Sequence, residues 1–189
     1  MSSSRGRPRK FNKEAGIVTA TLLFNKLGYQ GLGVAEICRS LGITVTSLYA
    51  TYGSKFGLFE AVIMAHCDNI IKELTSRIET ANSTEALFRQ VLELSVEEFG
   101  RDPQQTGSLL LDGAINNADP LVSALIRQKT AEYADIIRHR LVALGAENSD
   151  EFTSFILTLQ RGLSASSRAG AAQQELLMTV EFYCSLLEY

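Results

Sequence analysis

Residues 34–52 read VAEICRSLGITVTSLYATY, and this stretch decides the fold. The apolar residues of its first half have the i, i+3, i+4, i+7 spacing of one helix face: Val34, Ile37, Cys38 and Leu41. Gly42 breaks the pattern, and a second short helix is predicted from Thr44 or Val45 to Tyr52. Two short helices around a glycine turn are typical of a helix-turn-helix unit, although helical proteins without that function also contain such pairs.

Helical spacing continues through the rest of the chain. No stretch has the sustained alternation of a strand, and 46% hydrophobic with 21% charged residues is ordinary for a globular protein. Helix caps are predicted at Asn12, Ser54 and Asp119, the last directly before Pro120. The first helix, about 12–28, has its apolar side chains on one stripe: Ala15, Val18, Leu22, Leu23 and Leu27. We therefore expect an all-α protein of about nine helices.

The charge of the chain is distributed unevenly. The net charge is −3, yet residues 1–60 hold eight basic and three acidic residues. Because potentials are screened beyond roughly 8–10 Å, this local excess governs contact with a polyanion. No apolar run approaches the ~20 residues of a membrane span, and no secretory signal is expected. The three dispersed cysteines suggest no disulfide framework, which favours a reducing, cytosolic setting.

The outward face of the second helix of this unit carries small and hydroxyl-bearing side chains. It presents Thr44, Val45, Thr46, Ser47, Ala50 and Thr51. Hydroxyl groups can bond phosphates or base edges, and aliphatic methyl groups can contact thymine methyls. The free N–H groups of a helix N-terminus also attract phosphate. This pattern indicates a DNA contact surface.

Residues 17–59 together resemble the DNA-binding domain of the TetR family of bacterial transcriptional regulators. The resemblance runs through Ala20, Leu23, Phe24, Gly28-Tyr29, Val34-Ala-Glu-Ile37, Leu41-Gly42-Ile43-Thr44, Ser47-Leu48-Tyr49, Tyr52, Ser54-Lys55 and Leu58-Phe59. It implies a homodimer in which the first three helices bind half an operator and a larger helical C-terminal domain binds a small molecule and dimerises. The domains are then a flexible basic arm at 1–11, a three-helix helix-turn-helix domain at 12–56 and a ligand-binding and dimerisation domain at 57–189.

The resemblance also implies roles for single residues. Phosphate contacts are expected from Thr44, Ser47, Tyr49 and Lys55, with Ser47 also able to reach a base edge. Base contacts are expected from Val45, Thr46 and Ala50. Leu48 and Tyr52 are assigned to the core.

The recognition helix is nearly uncharged, because Val45 stands where many relatives have lysine. Its affinity is therefore expected to depend on contacts elsewhere. Residues 5–10 read RGRPRK, and Arg-Gly-Arg-Pro is similar to the core of the AT-hook, which binds A·T-rich minor grooves. Proline keeps such a peptide extended, and its arginines enter the narrow groove. We expect minor-groove contacts from Arg5, Arg7, Arg9 and Lys10; a solvated basic tail is the alternative.

Residues 61–189 carry no catalytic or metal-binding motif, so no enzyme, cofactor or metal is expected. The polar lining of an effector pocket is predicted from His66, Asn116 and Asn117. Cys67 is interpreted as a buried small side chain rather than a redox sensor. The last two helices are expected to form the dimer interface through Leu159, Leu163, Leu176, Val180, Tyr183 and Leu187.

These features predict a cytoplasmic, ligand-responsive repressor that leaves a palindromic double-stranded DNA operator when a small-molecule effector binds. Two alternatives share the same pattern. A dimeric helical small-molecule-binding protein with vestigial DNA binding would explain the uncharged recognition helix. A DNA-binding activator or a nucleoid architectural protein would use the same surface. No contact with a membrane is expected.

Overall fold

The computed structural model describes residues 11–101, 107–112 and 118–187. Within these ranges the chain forms nine α-helices and no strand, which confirms the predicted fold class. The helices are α1 Lys13–Gly31, α2 Val34–Leu41, α3 Val45–Tyr52, α4 Lys55–Ile78, α5 Thr84–Gly100, α6 Leu109–Asp112, α7 Pro120–Ala143, α8 Ser149–Arg168 and α9 Gln173–Ser185. None of these described helices is long and apolar enough to cross a membrane.

Side-chain caps begin the helices at the predicted positions. Asn12 accepts hydrogen bonds from the backbone of Glu14 and Ala15 at the start of α1. Ser54 accepts one from Gly57 at 2.9 Å, and Asp119 accepts one from Leu121 at 2.9 Å. Each cap satisfies a backbone N–H that has no partner within its own helix.

The first four helices share one core. α1 buries Gly16, Ala20 and Phe24, which lie one turn apart, while Val18 is 65% exposed. The predicted stripe of α1 is therefore wrong at Ala15, Val18 and Leu27, which are exposed, while Leu22 and Leu23 are partly buried. Phe24 meets Phe59 of α4 edge-on, with 5.0 Å between ring centroids.

α4 joins this N-terminal unit to the rest of the chain. It runs without a break from Lys55 to Ile78, so its first turns pack on α1 while its later turns pack on α5 and α7. Bidentate pairs tie α4 to α5: Arg77 binds Glu97, and Glu73 binds Arg101 just after α5. A shift of α4 would therefore reach both ends of the molecule.

The C-terminal body, formed by α5 to α9 around the later turns of α4, has an apolar core. α5 lies at its centre, packed on both α8 and α9, and its buried side chains include Leu87, Phe88, Val91 and Leu92. Arg140 of α7 donates to the carbonyl oxygens of Ile78, Glu79 and Ala81, which lie at and just after the end of α4. This contact satisfies helix-terminal carbonyls that have no partner within α4.

Candidate functional site

The exposed face of α3 contains the side chains that the sequence assigns to DNA. Thr44, Val45, Thr46, Ser47, Tyr49 and Ala50 are all exposed. On the opposite face, Leu48 is fully buried and Tyr52 is 9% exposed. α3 is therefore held by one face and free on the other, which is the arrangement a groove-reading helix requires.

The N-terminus of α3 is fixed by hydroxyl groups. Gly42 ends α2 in the left-handed conformation, with φ of 65°, and Thr44 then caps α3. The Thr44 hydroxyl accepts a hydrogen bond from Ser47 N at 3.1 Å, and the Thr44 and Ser47 hydroxyl oxygens are 2.9 Å apart. A phosphate placed here would meet these two hydroxyls and a positive helix terminus.

Tyr52 anchors α3 to α1. Its hydroxyl donates to the Lys13 carbonyl oxygen at 3.0 Å, and its ring meets Phe11 edge-on. A Cβ added at Gly16 would collide with the Phe11 ring, and one added at Gly57 would collide with the Tyr52 carbonyl oxygen. The sequence around each glycine does not show that a side chain would be excluded there. The lack of space arises only from the packing of helices that are distant in sequence.

Lys55 has an intramolecular partner. Its ammonium nitrogen lies 4.3 Å from the centroid of the Tyr29 ring, a cation–π contact. Burial lowers the pKa of Lys55, and the Asp119 carboxylate opposes that shift. Asp119 also forms a hydrogen bond with Tyr29, whose pKa is raised chiefly by burial. Lys55 therefore lies where α1, α4 and the start of α7 meet.

Other predicted DNA contacts lie beyond the region that the structure describes. Arg5, Arg7, Arg9 and Lys10 of the basic arm lie outside the described residues. The same holds for Asn116 and Asn117, the two asparagines of the predicted effector pocket. His66 is the only one of the three predicted pocket residues inside the described ranges.

His66 belongs to a buried polar cluster in the body, formed with Ser95 and Glu98 of α5, Tyr133 of α7 and Gln160 of α8. Gln160 donates through Nε2 to the Tyr133 and Ser95 hydroxyl oxygens, each at 2.7 Å. His66 Nε2 lies 3.3 Å from Glu98 Oε1. No hydrogen bond to a described residue satisfies His66 Nε2, Glu98 Oε1 or Gln160 Oε1.

Burial keeps the His66–Glu98 pair uncharged near neutral pH. It lowers the pKa of His66 to about 4, with a smaller contribution from the Arg101 charge. It raises the pKa of Glu98 to about 8, against the attraction of Arg101. The sequence did not predict Glu98, Tyr133 and Gln160 as site residues. The sequence could reveal such residues only as polar residues that interrupt the apolar face of a helix. Many polar residues at such positions are exposed to solvent instead, so the signal is weak.

The predicted dimer residues divide into two groups. Leu163, Leu176 and Val180 are buried in the chain's own core, so their side chains are not exposed for contact with a second chain. Leu159, Tyr183 and Leu187 are partly buried against the same core. The exposed apolar side chains of α8, α9 and the turn after α9 are Phe155, Leu177, Met178, Phe182 and Leu186. Helical spacing alone does not distinguish a stripe facing the core from a neighbouring stripe that faces a partner.

The three cysteines are all buried, and burial raises the pKa of the Cys67 thiol to about 12. A thiol with such a pKa is not ionised at neutral pH, so it is a poor nucleophile. This agrees with the interpretation of Cys67 as a packing residue.

An exposed, well-anchored second helix behind a glycine turn, on a small helical unit joined to a larger helical body, defines a helix-turn-helix DNA-binding protein. Residues 17–62 match the bacterial regulatory proteins of the tetR family. The N-terminal unit therefore matches the tetR family, and the chain is similar over nearly its whole length to DNA-binding transcriptional regulators.

The similarity extends beyond the N-terminal unit. The HTH-type transcriptional repressor BdcR of Escherichia coli strain K12 is 29% identical over 174 residues, which are 92% of this chain and 88% of that protein. A cysteine-substituted form of the TetR family regulator CifR, solved with a 26-base-pair operator duplex, is 27% identical with a TM-score of 0.83. That match covers 95% of this chain and 98% of CifR. FadR of Bacillus subtilis, solved with stearoyl-CoA, shares the fold at 12% identity with a TM-score of 0.74, covering 92% of this chain and 97% of FadR.

Proposed function

We propose that this regulator is a homodimeric repressor that binds a two-fold-symmetric operator and is released by a small-molecule effector. The observation that carries the proposal is the α3 surface, on which six predicted contact residues are exposed while Leu48 and Tyr52 are buried. The operator complex of CifR and the repressor BdcR support both the DNA partner and the direction of control.

The contacts with DNA are proposed to fall into two classes. Thr44, Ser47, Tyr49 and Lys55 hold phosphates, and Val45, Thr46 and Ala50 meet base edges. Because the base-facing side chains are small and uncharged, they give discrimination through methyl contacts and hydroxyls rather than through bidentate arginine pairs. The basic arm, residues 1–11, supplies positive charge that α3 lacks, in keeping with the AT-hook-like sequence RGRPRK.

The remaining assignments follow the two-domain arrangement, with residues 12–56 for DNA and 57–189 for effector binding and dimerisation. Because α4 is continuous across residue 57, it is the element that would transmit an effector signal to α3. We assign no enzymatic activity to the chain, because binding alone accounts for the architecture that it shares with its regulator relatives. Its place of action is the bacterial cytoplasm, where the operator lies.

The polar cluster around His66 and Glu98 is the proposed effector site. Three of its polar atoms, from α4, α5 and α8, have no hydrogen bond to a described residue, and those of His66 and Glu98 lie 3.3 Å apart. One ligand placed beside this pair could therefore contact all three helices. Since burial keeps His66 and Glu98 uncharged near pH 7, an uncharged effector fits this cluster better than an ion. Binding that favours one position of α4 over another would change DNA affinity.

Dimerisation is proposed to use the exposed apolar side chains of α8 and α9. Phe182 and Met178 of α9 are among the most exposed large apolar side chains of the described residues. A dimer would bury them and would place two α3 helices for two operator half-sites.

The experiment is selection of duplexes from a random pool by the full-length protein, followed by affinity measurement at two salt concentrations. Enrichment of one two-fold-symmetric site supports a specific dimeric regulator. Failure to enrich any site, with only weak and steeply salt-dependent binding, would favour a ligand-binding protein with vestigial DNA binding. A reporter driven from the selected site then separates repression from activation.

A further inference from the structure

A cavity of about 390 Å³ lies between the N-terminal unit and the body. Its walls include Asn25 and Tyr29 of α1, Phe59 of α4, Leu109 of α6, and Ala165 and Arg168 of α8. No residue of the α3 surface or of the His66–Glu98 cluster lines it. The cavity is thus separate from both sites proposed above, and its volume suits a small organic molecule.

Asn25 is an unusual residue for this wall. It is only 3% exposed, and neither its side-chain nitrogen nor its side-chain oxygen has a hydrogen-bond partner among the described residues. Most buried side-chain polar atoms in proteins are hydrogen-bonded, because an unpaired amide loses its water without compensation. Both amide atoms have almost no accessible surface, so an occupant of the cavity would pair with them only after the Asn25 side chain turns towards it.

Arg168 closes the cavity without offering a free charge. Its Nε donates to Asp112 Oδ2 at 2.7 Å, and its Nη1 donates to the backbone oxygen of Asn25 at 3.1 Å. Asp112 also accepts from the Ser164 hydroxyl at 2.5 Å. The guanidinium is therefore neutralised by its own carboxylate and is held in place by α1, α6 and α8.

The remaining walls are mainly aromatic and aliphatic. The rings of Tyr29 and Phe59 meet at 5.0 Å between centroids, and Leu109 and Ala165 add aliphatic surface. Lys26 also lines the cavity, but its side chain is exposed to solvent. Such walls favour an apolar body, and the Asn25 amide favours a polar group that both donates and accepts.

We propose that this cavity binds a small uncharged molecule with an apolar body and one amide or hydroxyl group, which pairs with the Asn25 side chain. The occupant would contact α1 and α8 together, so it would bridge the N-terminal unit and the body. The proposed binding does not depend on the repressor function proposed above. Only an effect of the bound molecule on operator affinity would depend on that function.

The test uses benzamide as the probe, with benzoate and toluene as matched ligands of similar size. Full-length ¹⁵N-labelled protein is titrated with each, and the Asn25 side-chain amide signal is identified by its loss in Asn25→Leu. We expect benzamide to shift the Asn25 amide together with the backbone signals of Tyr29 and Ala165, and to bind at least about tenfold more tightly than either control. Equal binding of toluene, preference for benzoate, or no shift at these three residues up to the solubility limit of benzamide would overturn the proposal.

Two variants separate a ligand-binding amide from a structural one. Asn25→Leu removes the unsatisfied amide at similar volume, so we expect an unchanged or higher Tm and at least about a tenfold loss of benzamide affinity. Ala165→Phe should fill the cavity and abolish binding while Asn25 is kept. Asn69→Leu, at an exposed position of α4, should leave binding unchanged. A lower Tm for Asn25→Leu with unchanged benzamide affinity would assign Asn25 to the fold instead.

Discussion

Tyr49 and Tyr52 lie one turn apart in α3, yet the structure gives them opposite environments. Tyr49 is 46% exposed, while Tyr52 is nearly buried with its hydroxyl bonded to Lys13. We predict that Tyr49→Phe weakens DNA binding by about 1.5–3 kcal/mol for every duplex sequence, because it removes a hydrogen bond to a charged phosphate. Titration of the selected operator and of a single-base variant measures this.

Tyr52→Phe is the matched control for this prediction. It should lower the free energy of unfolding by about 0.5–1.5 kcal/mol, while Tyr49→Phe leaves that quantity unchanged. If Tyr49→Phe altered the preference between the two duplexes instead of weakening both equally, Tyr49 would have to be placed at a base edge.

Glu98 is the residue from which a pH dependence follows. Its pKa is raised to about 8, so its contribution to stability is complete below its unfolded value of about 4.5 and is lost as the pH rises towards 8. The pKa of His66 is lowered to about 4, so its contribution is complete above 6.5 and is lost as the pH falls. Between pH 6.5 and 8 the Glu98 effect acts without opposition from His66.

We therefore predict that the Tm of the protein falls from pH 6.5 to 8 and that Glu98→Gln abolishes this decrease. At pH 8 the variant should be the more stable protein, with a gain of roughly 2–4 °C in Tm for each kcal/mol. Glu60→Gln, at an exposed position of α4, is the control and should keep the wild-type slope. A wild-type Tm that is constant over this range would show that Glu98 is ionised in the folded protein.

At the scale of the helix, sequence reasoning succeeds where the cause is local. Asn12, Ser54 and Asp119 cap their helices as predicted, because a cap depends on a residue and the two or three that follow it. Sequence reasoning fails where burial is decided by packing against another helix. The buried face of α1 is set by what α4 presents to it, and Val18 is exposed although its spacing suits a stripe.

The functional surfaces divide in the same way. The exposed residues of α3 could be predicted, because a short helix with Leu48 and Tyr52 on one face leaves the others outside. The polar cluster of the body could not, since Gln160, Tyr133 and Ser95 come from three helices whose order in sequence does not show that they meet. The cavity beside Asn25 likewise exists only where α1 and α8 come together.

The basic arm is an element whose contribution can be measured by removal. Deletion of residues 1–10 takes away Arg5, Arg7, Arg9 and Lys10. We predict lower operator affinity and a flatter dependence of log affinity on log salt concentration, by roughly 0.9 for each phosphate that the arm no longer neutralises. The decrease in affinity should be largest for operators with A·T-rich flanks.

A variant with these four residues replaced by glutamine keeps the length of the arm and serves as the companion to the deletion. It should reproduce the change in salt slope, because the slope depends on charge. If both variants bound the operator with wild-type affinity at physiological salt, the arm would be a solvated tail that does not contact DNA.

For the whole molecule, DNA affinity and self-association should be linked, because a two-fold-symmetric operator requires two α3 helices at a fixed separation. Phe182 of α9 is 61% exposed, which makes it a suitable probe of the proposed interface. We predict that Phe182→Glu converts the dimer to a monomer in sedimentation experiments, since two glutamates would face each other across an apolar contact.

Phe182→Glu should bind the operator at least about tenfold more weakly than the wild-type protein. Its binding curve should rise more steeply with protein concentration, because two monomers must then associate as they bind DNA. Leu121→Glu places the same charge at an exposed apolar position of α7 and should remain dimeric with wild-type affinity. If Phe182→Glu stays dimeric and binds the operator normally, the interface does not include this face of α9. A monomer that retains full affinity would instead mean that each chain binds its half-site independently, and control through the separation of the two α3 helices would then be impossible.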